Sequence, residues 1–238
     1  WKGLLKEPAK QIQLDIDKEH DLLNVAQYFG NSKGRSKIEN VIVDSFSSHT
    51  SPTENHFLLA SLPINTYWTT NYDDLIEKSL DAVYKKSFAM TKDDQLKLQI
   101  RDLDAVIYKM HGDISSPDDA ILTKDDYESY HVKMDLYLST LKGDLLNKTF
   151  IFLGFSFTDP NFSYICTHLR THLKGNMRGH YCFLKDISDT DYPDRNQVEY
   201  EKRKLSYFID DLKRFNIKTV LIKEYSEITE ILQSIRRR

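Results

Sequence analysis

At 238 residues, 40% hydrophobic and 29% charged, the chain has an ordinary globular balance and is long enough for one large domain or two small ones. Its 33 Lys and Arg against 36 Asp and Glu leave a net charge of −3, which excludes a surface coated for nucleic acid, and its two cysteines, Cys166 and Cys182, are too few for a disulfide framework or a four-cysteine zinc site. No apolar run approaches the ~18–20 residues of a membrane-crossing helix and no signal peptide leads the chain, so a reducing, cytoplasmic setting without membrane or nucleic-acid partners is expected.

The first sixty residues read as helices. Leu22, Val25, Ala26 and Phe29 share one helical face, and Ile38, Val41, Ile42 and Phe46 share another. Ser51-Pro52-Thr53-Glu54 has the chemistry of a helix start, with Ser51 as cap, Pro52 in the first turn and Glu54 completing a capping box. That helix should stop near Pro63, because proline disfavours helix in the residue before it. From Ile64 to Thr70 the chain is β-branched and aromatic and reads as a strand, followed by a helix from Asp74 towards Val83. Apolar runs recur at 105–110, 150–157, 181–184 and 217–222, with helical stretches at 162–173 and 198–215. The runs lack two-residue alternation, so they suit strands of a parallel sheet buried on both faces. Alternating β and α units argue for an open α/β sheet with helices on both faces.

Ligands of such sheets bind at the carboxyl ends of the strands, and three polar clusters fall there. The first is Thr70-Asn71-Tyr72-Asp73-Asp74: Asn71 can both donate to and accept from a ligand and Asp73 can take a ribose hydroxyl, while helix capping explains the same residues equally well. In the second, Lys109-Met110-His111-Gly112-Asp113, glycine lets the backbone turn and leaves the imidazole facing the crevice, where histidine is suited to accept a proton. A packing role for His111 is the alternative. In the third, Gly154 permits close approach of a ligand, Ser156 offers a hydroxyl, and Asp159-Pro160 reads as a helix cap.

Other patterns carry less. No GxG pair exists among the eight glycines, so neither a GxGxxG fingerprint nor a Walker A loop is present. His168 and His172 have helical spacing but no HExxH pattern and no third ligand, and the run ending at Arg238 suits a solvated helix end. Gly154-Phe155-Ser156-Phe157-Thr158 lacks the second glycine of a nucleophile elbow.

Taken jointly, the three clusters resemble a Sir2-type NAD-binding domain. Thr70-Asn71-Tyr72-Asp73 is similar to the family segment written TQNID, His111-Gly112 to its catalytic HG, and Gly154-Phe155-Ser156 to its GTS. The wider wording of residues 67–73, 109–113 and 152–160 resembles the Sir2-like NADases of bacterial anti-phage defence, and among them the Sir2 domain of the Thoeris effector, over nearly the whole chain.

The resemblance implies a Rossmann-like, mostly parallel sheet with helices on both faces and a helical insertion. It implies one domain over 1–238, mainly helical in 1–63 and α/β in 64–238, with the family's glycine-rich GAGxS turn expected ahead of the region matching Trp1. It also implies NAD as substrate, no metal, and hydrolysis to nicotinamide and ADP-ribose that depletes NAD in an abortive-infection response. His111 would act as general base, Asn71 would position ribose and water, and Asp73 would sit near the carboxamide. Thr70, Gly112, Gly154, Phe155 and Ser156 would contact the dinucleotide. A homo-oligomer (a tetramer) and a C-terminal nucleotide-sensing domain for a cyclic ADP-ribose-type signal are implied as partners. A non-catalytic nucleotide-binding or assembly module stays open as an alternative. An NAD-dependent protein deacylase is a further one, although two cysteines cannot build the deacylases' four-cysteine zinc ribbon.

Overall fold

The computed structural model describes residues 1–46, 51–98, 100–173 and 177–237. Arg238, the last residue of the basic run, lies outside them. The chain divides into two compact units, Trp1–Tyr137 and the part from Leu138 on.

The first unit opens with four helices: α1 (Lys6–Gln11), α2 (Leu22–Lys33), α3 (Arg35–Phe46) and α4 (Glu54–Ser61). Asp21 caps α2 by accepting from the N–H groups of Leu23 and Asn24. Val25, Ala26 and Phe29 of α2 and Ile38 and Ile42 of α3 are buried in a cluster that also takes in Leu5, Tyr72, Ala120 and Leu122. The start of α4 differs from expectation. Thr53, not Ser51, is the cap, and His56 in place of Glu54 closes the box, its Nδ1 lying 3.1 Å from the Thr53 backbone N and 2.8 Å from Thr53 Oγ1. Pro52 lies just before the cap because the helix starts later than the proline suggested. The helix does end before Pro63, with Leu62 in extended backbone.

Strands β1 (Thr66–Thr69), β2 (Ser87–Met90) and β3 (Ala105–Lys109) then form a parallel sheet of order β1-β3-β2, with α5 (Leu75–Ala82) between β1 and β2. Ala105 and Ile107 of β3 pack with Ala60 of α4 and Leu80 of α5. Helix α6 (Lys124–Lys133) follows, and the division between units falls within α7 (Asp135–Asn147).

The second unit holds β4 (Ile151–Phe152), α8 (Pro160–Leu173), β5 (His180–Lys185), α9 (Arg195–Lys213), β6 (Ile217–Ile222) and α10 (Ser226–Arg236). Its strands are again parallel, in the order β4-β5-β6. The α/β class and the parallel pairing match the sequence reading. Complete burial of the strands does not: Tyr181 of β5 and Leu221 of β6 are 40% and 48% exposed. Beneath β4, Phe152, Phe155, Phe157 and Phe162 stack edge to face or tilted, with ring centroids 4.9–6.0 Å apart. Among the described residues, no helix is long and apolar enough to cross a membrane.

Candidate active site

The carboxyl ends of β1 and β3 set the geometry of the first unit's site. Thr69 lies opposite Lys109 in the parallel ladder, and Met110 N–H donates to the Thr69 carbonyl at 2.8 Å. Asn71 and His111 are each two residues beyond that pair, so they leave neighbouring strands together at the edge where such sheets take ligands.

Asn71 donates its backbone N–H to Thr69 Oγ1 at 3.0 Å, which turns the chain, and its side chain is exposed; Thr70 beside it is half-buried. The capping explanation divides between the residues that shared it. Asp73 Oδ1 accepts from Leu75 N–H at 3.2 Å at the start of α5, whereas Asp74, the cap residue by position, pairs with Lys78 at 2.8 Å. Asn71 precedes both and takes no part in the cap.

His111 is sheltered instead of open to the crevice: it is 3% exposed. The Tyr127 hydroxyl lies 3.3 Å from its Nε2, with the two rings 5.5 Å apart edge to face, and the Tyr72 ring lies 6.4 Å away. The His111 carbonyl accepts from Ile121 N–H at 2.9 Å. Gly112 has φ +92°, and a Cβ there would meet Ala120 Cα at 3.0 Å and the Asp119 carbonyl at 3.3 Å. Glycine is therefore needed for both the turn and the close approach.

Tyr127 was not singled out from sequence. It stands on α6, whose first turn is fixed by a box between Thr123 and Asp126: Thr123 N–H donates to Asp126 Oδ2 at 2.8 Å, and the Thr123 hydroxyl lies 2.9 Å from it. Arg35 of α3 clamps the same turn, donating to Asp126 at 2.5 Å, to the Ala120 carbonyl at 2.6 Å and to Glu39 at 2.7 Å. Burial works against the Asp126 carboxylate, yet the bonds from Arg35 and the backbone of Thr123 and Leu122 outweigh it and hold the group below the ordinary range. The Thr123-x-x-Asp126 spacing was the one signal in the sequence for this arrangement.

Gly154, Phe155 and Ser156 belong to the second unit, just past β4. Gly154 has φ +63° with open space around it, Phe155 sends its ring into the phenylalanine cluster, and the Ser156 hydroxyl lies 2.8 Å from that of Thr158. Ligand contact by Phe155 would thus fall to its backbone. Asp159 caps α8 as expected, accepting from Phe162 N–H at 2.8 Å. His168 and His172 stack 4.1 Å apart, and no group of three His, Cys, Asp or Glu able to hold a metal occurs among the described residues.

Residues 65–208 match the model of the SIR2-like domain. The chain belongs to the SIR2-like family. It is 49% identical over 239 residues, 99% of its length, to a protein of Bacillus cereus (strain MSX-D12) named NAD(+) hydrolase ThsA, and covers 50% of that protein. Proteins of the same name are 46% identical in Acinetobacter baumannii (strain 532279) and 45% identical in Cytobacillus dafuensis, each over 100% of this chain, which covers 50% and 49% of them. The chain thus spans about half the length of these curated relatives.

Proposed function

We propose that the chain is the catalytic part of an NAD+ hydrolase that breaks the bond between nicotinamide and ribose, releasing nicotinamide and ADP-ribose. The observation that carries the reading is identity of nearly one half, over almost every residue, to proteins named for that activity. The side-by-side exit of Asn71 and His111 from β1 and β3 supports it.

Departure of nicotinamide leaves a ribose of oxocarbenium character, so the reaction gains from a fixed sugar, an oriented water and a nearby base. In this reading His111 takes a proton from a ribose hydroxyl or from the attacking water, with Tyr127 fixing the ring's orientation. The exposed Asn71 amide holds the ribose and the water, and Asp73 sits near the carboxamide. Thr70 and Gly112 contact the dinucleotide, and no metal takes part. In the cell, the activity drains cytoplasmic NAD during phage infection and ends it abortively. The active form is a homo-oligomer, a tetramer, released by a C-terminal domain that reads a cyclic ADP-ribose-type nucleotide.

The shelter around His111 favours one rival, a module that binds NAD without cleaving it. Incubating the purified protein with NAD and following nicotinamide and ADP-ribose by chromatography separates the two. Release of both without any acetylated peptide supports the hydrolase and speaks against a deacylase. Calorimetric binding of NAD with no product on prolonged incubation would establish the module.

A further inference from the structure

On β3, Ala105, Ile107 and Lys109 occupy one buried face, so an ammonium continues an apolar stripe. Lys109 is 0% exposed. Burying that charge is costly before pairing, and an unbranched apolar side chain would fill the same space without the cost. What the ammonium does that such a side chain could not is gather acceptors from two loops and from α5. Lys109 Nζ donates to the Asp73 carbonyl at 2.6 Å, the Tyr72 carbonyl at 3.3 Å and Glu77 Oε1 at 3.0 Å, and it also donates to the Asp113 carboxylate. Tyr72 and Asp73 immediately follow Asn71, and Asp113 lies two residues past His111. The same loops meet once more where Ile114 N–H donates to the Tyr72 carbonyl at 3.0 Å.

We infer that Lys109 is a positioning residue, a buried clamp that fixes the Asn71 loop against the His111 turn and so sets the spacing of the amide and the imidazole. The electrostatics agree. Burial works against the Asp113 carboxylate, but hydrogen bonds from Lys109 and Ser115 outweigh it and keep the group below the ordinary range. Burial pushes Glu77 up, with Lys109 offsetting it only in part, so Asp113 is the firmer of the two carboxylate anchors.

The consequence for turnover rests on the NAD hydrolase reading; the clamp itself does not. Lys109→Met is compared with wild type by nicotinamide release, circular dichroism and amide hydrogen exchange resolved to Ile114. A clamp gives a kcat per folded molecule lower by about tenfold or more with KM for NAD within about threefold, because reacting groups lose alignment while the dinucleotide still binds. It also gives exchange at Ile114 faster by about tenfold while the β3 amides keep their protection. Wild-type kcat in the folded variant, or unchanged exchange at Ile114, overturns the proposal. If wild type itself releases no nicotinamide, the hydrolase reading falls by itself and exchange at Ile114 alone decides the clamp. Should Lys109→Met fail to fold, Asp113→Asn takes its place, removing one charged arm and leaving the two carbonyl contacts. Exchange at Ile114 faster by about threefold supports the clamp, and wild-type exchange there overturns it.

Discussion

Gly112→Ala tests how the turn after His111 is held. Two costs add at this position. An alanine at φ +92° occupies a region that L side chains avoid, at about 1–2 kcal/mol. Its Cβ would also meet Ala120 Cα at 3.0 Å and the Asp119 carbonyl at 3.3 Å, which are backbone atoms and cannot rotate aside, so overpacking contributes about 1–3 kcal/mol. A combined loss near ~3 kcal/mol lowers the melting temperature of a chain this size by roughly 6–12 °C. Gly154→Ala is the internal control, because its φ is +63° but a Cβ there meets nothing within 4 Å, leaving only the conformational cost of about 1–2 kcal/mol. Thermal melting followed by circular dichroism should rank wild type above Gly154→Ala and Gly154→Ala above Gly112→Ala. Nicotinamide release should fall in Gly112→Ala, since the strain is relieved by moving the backbone next to His111. Equal melting of the two variants, or no loss in Gly112→Ala, would refute the steric reasoning.

Three further outcomes follow from the packing. His180 is 1% exposed and accepts from Phe150 N–H at Nδ1; burial, helped by the charge of Arg178, brings its pKa down to about 4. The unfolded chain takes up this proton near pH ~6.5 and the folded one does not, so stability falls as pH drops from about 6.5 to 4, by at most ~3–4 kcal/mol. Urea titrations of wild type and His180→Gln should therefore converge across that window; parallel curves would contradict it. Arg35→Met strips Asp126 and Glu39 of their cation, and because the guanidinium is about one-third exposed the loss should be about 2–3 kcal/mol, read as a lower denaturation midpoint. Asp159→Ala removes the cap of α8 and should cost ~0.5–2 kcal/mol in the same titration, with Asp159→Asn recovering most of it.

How much of this was legible in the sequence depended on whether the signal was local. The faces of α2 and α3, the strand at Thr66–Thr69 and the cap at Asp159 follow from periodicity and short-range hydrogen-bonding chemistry, and they stand where the residues put them. Strand β2, a four-residue strand directly after Lys85-Lys86, carries no alternation and owes its form to β3 beside it. The run 150–157 was too long as a strand because Gly154 and Phe157 both turn to positive φ, sending the phenylalanines into a cluster of their own. At the site, the wording of the clusters pointed to Asn71, Asp73 and His111. The capping chemistry of the first cluster was legible too, and Asp73 does serve α5. The wording could not reveal that Tyr127 comes across from α6, or that a lysine inside an apolar stripe ties the two loops together. Those depend on partners 16 to 37 residues away in the chain.

The most direct measurement is turnover of NAD by wild type, His111→Ala and Asn71→Ala, with each variant's melting temperature taken beside it. Removing a general base should lower nicotinamide release by ~10²–10⁴-fold per folded molecule in His111→Ala, whose melting temperature should also fall because the imidazole is buried between Tyr127 and Tyr72. Asn71→Ala, whose side chain is exposed and takes no part in the α5 cap, should lose activity without loss of stability. Full nicotinamide release by a folded His111→Ala protein would contradict the account.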